Sequence, residues 1–600
     1  MDYQAWQSLT ALFFDQATRL GDKPFLWAKR DGHYQALTWR QVAERVSRLS
    51  RGLRRLGVTP GDRVVLVSES RPEWFIADLA VLAAGAVTVP AYTTNTASDH
   101  GHVLSHSGAI GAMVSTRALA DRLLPAAMEA SDCRFLVSIE DLEADQVATV
   151  ELHRWDQVES DGAGQDDDVA QVVARARRDD VCCFIYTSGT GGVPKGVMLS
   201  HGNLLANCRG AYGLLAEYGL EHEVFLSFLP LSHAYEHTAG QFFPMSIGAE
   251  IYYAEGAEHL LTNLAEVRPT IMTAVPRLYE SMHQRIRRGV VKQGGLKQKL
   301  FEQAVTLGRK QLDDPGSLSV TERLLNRLSE RLVRTKIRQR FGGRLKAMVS
   351  GGAALNPEIG GFFVALGVPV LQGYGQTESA PIVSANPPGR VKMATVGPPL
   401  EGVEVQIAPD GEILVRGELV MKGYWRDQAA TAEAIRDGWL HTGDIGAIDD
   451  DGYLKITDRK KDILVLSGGD NVSPARVEGL LTLEPEIAQA MVLGDKRPNL
   501  VALLVPEEEF LRDWAKAQAK PSALEAVAGD PELHKALSQA VDRVNQKLAN
   551  LERVRRFLVA REAFTVDNAM MTPTLKIRRH KIQAAYGAEL EALYGPATAG

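Results

Sequence analysis

A run of hydroxyl-bearing residues, glycines and one lysine stands out between residues 186 and 197. It reads Tyr-Thr-Ser-Gly-Thr-Gly-Gly-Val-Pro-Lys-Gly-Val and follows an apolar, strand-like segment at 181–185. Glycines let backbone N–H groups approach a ligand closely, and successive N–H groups can form an anion-binding nest. The hydroxyl groups add donors, and Lys195 adds a positive charge. The run therefore predicts a loop that binds a polyphosphate.

Two other interpretations of this run explain less of it. A Walker A loop requires Gly-Lys-Ser/Thr, whereas Lys195 lies between Pro194 and Gly196. A glycine-rich surface turn would account for any three of these residues but not for the whole run. We therefore retain the polyphosphate loop as the hypothesis.

The run resembles the phosphate-binding motif of the adenylate-forming superfamily, which includes acyl-CoA synthetases, luciferases and the adenylation domains of peptide synthetases. That motif usually reads Ser-Gly-Thr-Thr-Gly, and Gly191 replaces its second threonine here. Backbone N–H groups or Thr190 would compensate for the missing hydroxyl. The resemblance implies that Thr190 is catalytic and that the loop binds ATP through Thr187, Ser188, Gly189, Thr190 and Lys195.

A second motif of this family follows at residues 373–379, which read Gly-Tyr-Gly-Gln-Thr-Glu-Ser. It resembles the adenine and magnesium motif. Tyr374 offers a flat ring for stacking on a purine, and Thr377 offers a hydroxyl to phosphate. Glu378 supplies a hard oxygen ligand of the kind Mg²⁺ prefers. The resemblance thus implies that Glu378 is the metal ligand.

Two further motifs concern the base, the acyl group and the ribose. The segment 350–354, Ser-Gly-Gly-Ala-Ala, resembles a small-residue strand end, where Gly352 and Ala353 would let adenine and the acyl group lie close to the backbone. The segment 439–445 contains Asp444, which in the family hydrogen-bonds the ribose hydroxyl groups.

The last two motifs divide the chain. Asp458 stands at the family's hinge position, and Arg459 beside it matches an arginine that contacts ribose or phosphate. Lys576, in the segment 572–578, stands where these enzymes carry their adenylation lysine. The resemblance implies an AMP-binding domain at 1–457 and a mobile C-terminal domain at 458–600.

Two half-reactions at one site follow from the resemblance. A substrate carboxylate first attacks the α-phosphorus of ATP, giving an acyl-adenylate and pyrophosphate. The small domain then rotates about Asp458, which withdraws Lys576 and brings the segment 467–472 to the site. Gly468 and Gly469 in that segment would let the pantetheine arm of CoA pass beside the backbone.

Local features of the C-terminal part imply which acid is used. Residues 572–576, Thr-Pro-Thr-Leu-Lys, resemble the long-chain acyl-CoA synthetase version of the motif rather than the Ser-Gly-Lys version. The helical insertion before it and the Ser-Gly-Gly-Asp-Asn-Val form of 467–472 agree. We therefore expect a long-chain fatty acid, ATP, Mg²⁺ and CoA.

An alternative acceptor and an alternative class stay open. Fatty acyl-AMP ligases of the superfamily pass the acyl group to a carrier protein instead of CoA. A zinc metallopeptidase is the alternative of another class, because His233-x-x-Glu236-His237 matches an inverted zinc-protease pattern. Pro230 and the strand-like segment 224–229 predict a strand-to-helix turn there instead. The family carries a histidine beside the acyl pocket at this point, which implies that His233 is catalytic.

Composition sets the wider limits. A chain of 600 residues is too long to form a single hydrophobic core. Its four cysteines lack the spacing of metal ligands, which indicates a reducing compartment. The first residues lack a basic region, so we expect a cytoplasmic protein without a signal peptide. A net charge of −7 argues against nucleic acid as the main partner.

The elements that must position these motifs follow an α/β pattern. Thr38 and Gln41 form a capping-box pattern before an amphipathic helix, and 63–67 and 87–90 read as short buried strands. The segment 403–415 reads as a β-hairpin. These patterns and the resemblance predict doubly wound sheets with a small β-barrel-like subdomain in the large domain.

The C-terminal part reads as a small α+β domain. We predict a helix from Pro474, strands near Met491 and at 501–505, one helical stretch from about 507 to 556, and a strand at 557–559. A separate apolar stretch at 75–92 contains Asp78, Gly85 and Pro90 and is predicted to form helix, turn and strand rather than a membrane span.

The segment 285–344 has an unusual charge. It holds sixteen Lys and Arg residues and five Asp and Glu residues, a net charge of +11. Leu324, Leu328, Leu332 and Ile337 fall mostly on one helical face with arginines around them. The stripe either packs on the large domain or forms part of a basic surface that holds the protein on an anionic membrane.

Overall fold

Short apolar strands alternate with helices along most of the chain, as the sequence predicts. The computed structural model describes residues 1–142, 149–164, 168–187, 193–256, 258–314, 316–572 and 576–595. The helices of these residues are α1 (Leu9–Leu20), α2 (Trp39–Arg55), α3 (Pro72–Ala83), α4 (Ala97–Ser107), α5 (Arg117–Glu129), α6 (Trp155–Ala163), α7 (Val169–Arg175), α8 (His201–Leu215), α9 (Phe243–Ile247), α10 (Leu260–Val267), α11 (Pro276–Gln293), α12 (Gly295–Asp313), α13 (Val320–Ser329), α14 (Thr335–Arg340), α15 (Pro357–Ala365), α16 (Gln428–Ala434), α17 (Pro474–Leu481), α18 (Glu508–Ala517), α19 (Leu524–Val527), α20 (Pro531–Asn545) and α21 (Arg579–Ala592).

The strands of the same residues are β1 (Pro24–Arg30), β2 (His33–Thr38), β3 (Arg63–Val67), β4 (Val87–Pro90), β5 (Gly111–Val114), β6 (Phe135–Ser138), β7 (Glu151–Arg154), β8 (Val181–Thr187), β9 (Lys195–Ser200), β10 (Val224–Ser227), β11 (Glu250–Tyr253), β12 (Ile271–Ala274), β13 (Ala347–Ser350), β14 (Val370–Gly375), β15 (Ile382–Ala385), β16 (Glu404–Ile407), β17 (Glu412–Arg416), β18 (Gly423–Tyr424), β19 (Ile435–Arg436), β20 (Trp439–Ile448), β21 (Leu454–Arg459), β22 (Leu464–Val465), β23 (Asn471–Val472), β24 (Ile487–Leu493), β25 (Leu500–Pro506) and β26 (Val554–Val559). The π-helical segment Glu236–Phe242 leads into α9, and a second one, Glu330–Arg334, joins α13 to α14.

Two eight-stranded sheets form the large domain. One has the order β7-β6-β5-β3-β4-β8-β9-β18 and the other the order β15-β14-β13-β12-β10-β11-β1-β2. Their central strands are parallel, and antiparallel pairs occur toward the edges. Parallel strands covered by helices on both faces require continuous apolar runs, which explains why β3 and β4 are buried along most of their length. The prediction of doubly wound α/β sheets is confirmed.

The first predicted helix begins and ends as its sequence indicates. The Thr38 hydroxyl accepts the Gln41 N–H at 3.2 Å, and the Gln41 side-chain oxygen accepts the Thr38 N–H at 2.9 Å. These two bonds satisfy donors that a helix start leaves without partners. The apolar face of α2 is buried, which confirms the predicted amphipathic helix.

The small β subdomain is a five-stranded antiparallel sheet. Four of its strands follow the order β16-β17-β20-β19, and the fifth, β21, pairs with β20. The predicted hairpin corresponds to β16 and β17, with Gly411 in the turn. The register of β20 and β21 places Asp444 opposite Arg459. This pairing brings two predicted nucleotide-binding residues together.

The C-terminal part contains a three-stranded sheet of order β24-β25-β26 with helices packed on it. The predicted helical stretch from about 507 to 556 is too long: it contains the three helices α18, α19 and α20, of which the last ends at Asn545, and β26 begins at Val554. Pro521 and the Gly529-Asp530-Pro531 run interrupt the stretch, since proline cannot continue a helix. The Asp530 carboxylate caps α20 by accepting the Glu532 N–H at 2.9 Å.

Separate hydrophobic cores lie on either side of residue 458. The buried residues of the three large clusters before it extend to Leu454, whereas those of the two clusters after it begin at Leu466. The domain bounds 1–457 and 458–600 and the hinge role of Asp458 remain predictions. Over the described ranges, no helix is both long and apolar enough to span a bilayer.

Candidate functional site

One large cavity brings most of the predicted site residues together. It has a volume of about 2050 Å³, and residues from both sides of position 458 line it. Its lining includes the predicted residues Thr187, Lys195, His233, Gly352, Ala353, Tyr374, Thr377, Glu378, Asp444, Arg459 and Lys576. The ends of β12, β13 and β14 contribute to one wall, as expected for ligands at the carboxyl ends of parallel strands.

Five predicted residues are not placed at this cavity. Gly468 and Gly469 are exposed and do not line it, so this structure does not bring the proposed CoA segment to the site. Ser188, Gly189 and Thr190 lie outside the described residues, as does Gly191. The edges of the loop are described: Thr187 pairs with Lys195 across β8 and β9.

Lys195 is held at the mouth of this hairpin by two groups. Its ammonium nitrogen lies 3.5 Å from the Asp427 carboxylate and 5.0 Å from the centre of the Tyr424 ring. Its side chain is 46% exposed, so the charge remains accessible to a ligand. An anionic phosphate can therefore compete with Asp427 for this lysine.

Tyr374, Asp444 and Arg459 form a connected group. The Tyr374 hydroxyl donates to Asp444 Oδ2 at 2.7 Å, and Arg459 Nε donates to Asp444 Oδ1 at 3.0 Å. Burial raises the pKa of the Tyr374 phenol well above its usual range, and the Asp444 carboxylate adds to this. The phenol therefore stays protonated, and the network fixes the ring that is predicted to stack on adenine.

The strand that carries Tyr374 needs a glycine immediately after it. A β-carbon on Gly375 would lie 1.8 Å from the carbonyl oxygen of Pro381, so no other residue fits there without movement of the backbone. This close approach lets β15 pair with the end of β14. The turn Thr377–Ser379 then places Glu378 at the cavity.

Glu378 is oriented by a tyrosine. Glu378 Oε1 accepts a hydrogen bond from the Tyr424 hydroxyl at 2.9 Å, which leaves the carboxylate further acceptor capacity. Among the residues described, no three His, Cys, Asp or Glu side chains are grouped closely enough to hold a metal ion by themselves. A single carboxylate fits Mg²⁺, which usually binds through one or two carboxylates, waters and substrate phosphates.

Lys576 reaches this group from the C-terminal part of the chain. Its N–H donates to the Thr572 hydroxyl at 3.0 Å, and its carbonyl accepts the Thr572 N–H at 2.8 Å. The Lys576 side chain is solvent-accessible within the cavity. Desolvation by the protein atoms around it, followed by the charge of Arg459, lowers the pKa of its ammonium to about 8, while Asp444 and Glu378 oppose the shift. The Lys576 ammonium is therefore near the predicted nucleotide-binding residues Asp444, Arg459 and Glu378, where it can contact a phosphate.

His233 is a neutral hydrogen-bonding group in the same cavity. Burial lowers its pKa to about 3, and the charge of Lys576 contributes in the same direction. His233 Nδ1 accepts the Tyr235 N–H at 3.2 Å, so the ring proton of the neutral form is on Nε2. His233 can therefore donate one hydrogen bond to a ligand oxygen, and it is a poor base.

The zinc-protease pattern does not form a metal site. His237 Nε2 lies 2.8 Å from the Asp78 carboxylate, while Glu236 accepts from the hydroxyl groups of Ser227 and Thr273. Asp78 raises the pKa of His237 to about 10 although burial alone would lower it. The three side chains thus have separate partners, because the segment is a π-helical turn after a loop rather than an α-helix. The metallopeptidase alternative is wrong.

Three polar groups at the cavity were assigned no role from the sequence. Ser350 Oγ and Gln372 Oε1 are buried without a hydrogen-bond partner in the described part of the chain. Gln372 precedes Tyr374 by two residues, so both side chains face the same side of β14. That alternation was a signal available in the sequence. No comparable signal marks Tyr424, which comes from a distant edge strand.

Another part of the lining is apolar. Leu214 from α8 and Phe243 from α9 line the cavity together with Phe225, Ile271 and Val349 from the second sheet. These side chains carry no hydrogen-bonding groups, so a ligand there gains from burial of apolar surface. The cavity thus joins a polar region suited to a nucleotide and an apolar region suited to a hydrocarbon chain.

Comparison with known families decides where the chain belongs. The profile described as AMP-binding enzyme matches residues 13–425, and the one described as AMP-binding enzyme C-terminal domain matches residues 461–598. The chain belongs to the AMP-binding enzyme family. The predicted superfamily resemblance is therefore confirmed.

Relatives within the AMP-binding enzyme family cover nearly the whole chain. The chain is 34% identical over 572 residues to the long-chain-fatty-acid–CoA ligase FadD15 of Mycobacterium tuberculosis, covering 94% of this chain and 93% of that protein. It is 32% identical over 589 residues to the peroxisomal long chain acyl-CoA synthetase 7 of Arabidopsis thaliana, covering 94% and 82%.

Solved structures of AMP-binding enzymes share the fold. The adenylation domain of a carboxylate reductase from Mycobacterium chelonae matches with a TM-score of 0.76 at 23% identity, covering 98% of this chain and 91% of that chain. The anthranilate CoA ligase AuaEII, solved with anthranoyl-AMP, matches with a TM-score of 0.74 at 21% identity, covering 99% and 100%. The predicted fold class is confirmed.

Proposed function

We propose that this AMP-binding enzyme activates a long-chain fatty acid with ATP to an acyl-adenylate and then transfers the acyl group to CoA. The observation that carries the proposal is the position of Lys576 in the cavity. It lies among the predicted nucleotide-binding residues, and an apolar lining extends from the same cavity. The names of the relatives that cover nearly the whole chain support the substrate and the reaction.

In the proposed first step, a fatty-acid carboxylate oxygen attacks the α-phosphorus of ATP. The bond from this phosphorus to the bridging oxygen breaks, and pyrophosphate leaves with the electron pair. Negative charge on the phosphate oxygens increases in the transition state, so cations and N–H donors there lower the barrier. We assign this role to Lys576, to Lys195 and to the N–H of His233 Nε2.

Glu378 is the residue we assign to Mg²⁺, with Tyr424 orienting its carboxylate. The ion would neutralise phosphate charge when bound. Glu378→Ala should raise the KM for Mg·ATP by a larger factor than the KM for the fatty acid, because the carboxylate faces the nucleotide side of the cavity. Titration of Mg²⁺ at fixed ATP measures this. Equal changes in both constants would contradict the assignment.

In the proposed second step, the CoA thiol loses its proton to solvent and its sulfur attacks the acyl carbonyl carbon. The bond from that carbon to the phosphate oxygen breaks, and AMP leaves. Gly468 and Gly469 are exposed here, and we assign them to the CoA path only after a domain rotation about Asp458. The adenylate thus forms first, with Lys576 in the cavity.

A half-reaction assay tests the function. Purified protein is supplied with ATP, Mg²⁺ and palmitate, oleate, benzoate or acetate, and pyrophosphate release and acyl-CoA are both measured. We expect the long-chain acids to be the best substrates and free CoA to accept the acyl group. Faster turnover of benzoate or acetate would contradict the chain-length proposal. Accumulation of adenylate without acyl-CoA would favour a ligase that uses a carrier protein.

We also propose that the enzyme meets its substrate at the surface of an anionic membrane, from the cytoplasmic side. The exposure of the leucine stripe favours a surface role over packing on the large domain, because Leu324, Leu328 and Leu332 are 69%, 46% and 40% exposed. Ile337 is the exception, since it is buried in the large domain. Val320, one turn before Leu324, is 82% exposed and extends the stripe.

Exposed cations accompany these apolar side chains. Arg323, Arg327 and Arg331 are exposed on the same helical segment. Each basic group near an anionic surface contributes about 1 kcal/mol, and leucines add burial in the headgroup region. Long-chain fatty acids partition into that layer, so attachment there would shorten their path to the cavity.

Co-sedimentation with vesicles that contain phosphatidylserine tests the surface. We expect binding at low salt that weakens at high salt, since the attraction is screened. Arg327→Gln with Arg331→Gln, and separately Leu324→Ser with Leu328→Ser, should each reduce it. The matched control is Leu551→Ser, a 41% exposed leucine far along the chain. Absent binding at low salt, or binding unchanged in these variants, would contradict the proposal.

A further inference from the structure

A group of four charged side chains connects the two parts of the chain. Arg288 and Lys292 are on α11 in the large domain, and Glu507 and Glu509 are at the start of α18 in the C-terminal part. Arg288 Nη2 lies 2.6 Å from Glu507 Oε2, and Arg288 Nη1 lies 2.5 Å from Glu509 Oε2. Lys292 Nζ lies 3.1 Å from Glu509 Oε1. We name these four residues the α11–α18 cluster.

The geometry of the cluster makes it stronger than an isolated surface pair. Arg288 uses both terminal nitrogens, each toward a different carboxylate, and its side chain is only 29% exposed. Glu507 also accepts the N–H groups of Glu509 and Phe510 at 2.8 and 2.9 Å as the cap of α18. Carboxylates at a helix N-terminus are favoured by the helix dipole. The cluster is therefore a charge network in which the start of α18 holds the Glu507 carboxylate in place.

Two hydrogen bonds lie on the same interface. Arg277 Nη1 donates to the carbonyl of Ala488 at 3.1 Å, and Asn356 Nδ2 donates to the carbonyl of Gly479 at 3.0 Å. Both connect the large domain to the C-terminal part. Leu483 from the C-terminal part packs against the core of the large domain beside them. The interface thus fixes the orientation in which Lys576 enters the cavity.

We propose that the α11–α18 cluster is a latch for the adenylation step. It holds the C-terminal part in the orientation that inserts Lys576, and it must open before CoA can take its place. Arg288 is then a positioning residue that acts through Lys576 and does not touch the substrate. The proposal rests on the proposed function, because only a two-step reaction requires this orientation to be left again.

The latch predicts different effects on the two half-reactions. Arg288→Gln removes the charge that both glutamates share, so the population with Lys576 in the cavity should decrease. Adenylation, measured by pyrophosphate exchange, should fall roughly fivefold, the size expected for a small ion-pair network. Thioester formation from supplied acyl-adenylate and CoA should not fall. Arg288→Lys should restore part of the adenylation, and high salt should lower adenylation in the unaltered protein.

A matched control separates the latch from general loss of an ion pair. Arg309 pairs with Glu358 at 2.5 Å within the large domain and is 33% exposed, close to the value for Arg288. Arg309→Gln should leave both half-reactions unchanged. A decrease in adenylation equal to that of Arg288→Gln would overturn the proposal, and so would an equal loss of both half-reactions in Arg288→Gln.

A distance measurement tests the latch without the reaction. Spin labels are attached to cysteines introduced at Lys297 and Lys516, two exposed positions on opposite sides of the interface. The label distance should be narrowly distributed in the unaltered enzyme and broader with Arg288→Gln, at an unchanged midpoint of thermal unfolding. A distribution that Arg288→Gln leaves unchanged would overturn the latch. Unaltered enzyme that makes no adenylate from any fatty acid would contradict the proposed function instead.

Discussion

Lys576 lines the same cavity as Asp444, Arg459 and Glu378. Lys576→Ala should reduce adenylation by about 10²–10³-fold, because a preorganised cation at the developing phosphate charge is lost. Thioester formation from pre-made acyl-adenylate should be largely spared, since the second step does not use this lysine. The two half-reactions are measured separately. An equal loss in both would show that Lys576 is structural.

The lowered pKa of Lys576 gives adenylation a pH limit. The ammonium is charged below its pKa, which is about 8 in the free enzyme instead of 10.5. The charge is therefore lost as the pH rises through 8, and kcat/KM for ATP should fall above that value. Lys576→Arg keeps its charge at every accessible pH, so its residual activity should lack this alkaline decline. A decline that persists in Lys576→Arg would assign it to another group.

For single residues, the sequence predicts which residues line the site better than it predicts their hydrogen-bond partners. Tyr374, Asp444 and Lys576 were identified from their motifs, and the structure places all three at one cavity. The hydrogen bond between Tyr374 and Asp444 could not be predicted, because it joins strands of different sheets. The alternation of Gln372 with Tyr374 indicates which face of the strand Gln372 occupies, but only the structure shows that its side-chain oxygen is buried and has no hydrogen-bond partner among the described residues.

At the scale of elements, the crossing of α2 and α6 depends on two glycines. A β-carbon on Gly52 would lie 2.1 Å from the carbonyl oxygen of Val158, and one on Gly162 would lie 1.8 Å from that of Arg48. Gly52→Ala should therefore destabilise the protein by about 1–3 kcal/mol, since the helices must separate. Thermal or urea unfolding measures the change.

Gly101 provides the control for this prediction. It lies in α4, and a β-carbon there would have only the Ala126 β-carbon as a neighbour, at 4.0 Å. Gly101→Ala should be neutral or stabilising by up to about 1 kcal/mol, because alanine has the higher helix propensity. Equal destabilisation by both substitutions would show that the close crossing is not the cause.

Elements with strong local signals were predictable, and those decided by packing were not. The capping box of α2 and the hairpin of β16 and β17 form from neighbouring residues, so the sequence predicts them well. The leucine stripe of α13 has the same period whether it packs inward or faces solvent, so its exposure required the structure. The separate partners of His233, Glu236 and His237 depend on a π-helical turn that periodicity does not indicate.

At the scale of the whole molecule, the separation of cores near residue 458 has a direct test. A fragment of residues 1–457 should fold, since it contains all the buried residues of the three large clusters, of which the last is Leu454. It should bind ATP but lack adenylation, because Lys576 is absent. Circular dichroism, a cooperative unfolding transition and pyrophosphate exchange measure these properties. A fragment without a cooperative transition would contradict the predicted domain bounds.

The four cysteines described in the core have a consequence for an enzyme that makes an acylating agent. Cys133, Cys182, Cys183 and Cys208 are all buried, and burial raises the pKa of the Cys133 thiol to about 11. Thiols react as thiolates, so a buried and protonated thiol is a poor nucleophile. An acyl-adenylate released into the surrounding solvent would therefore find no reactive sulfur on its own catalyst. Because all four cysteines are buried, we expect the protein to resist S-acylation by its own product and the thiol of CoA to meet no exposed competing thiol.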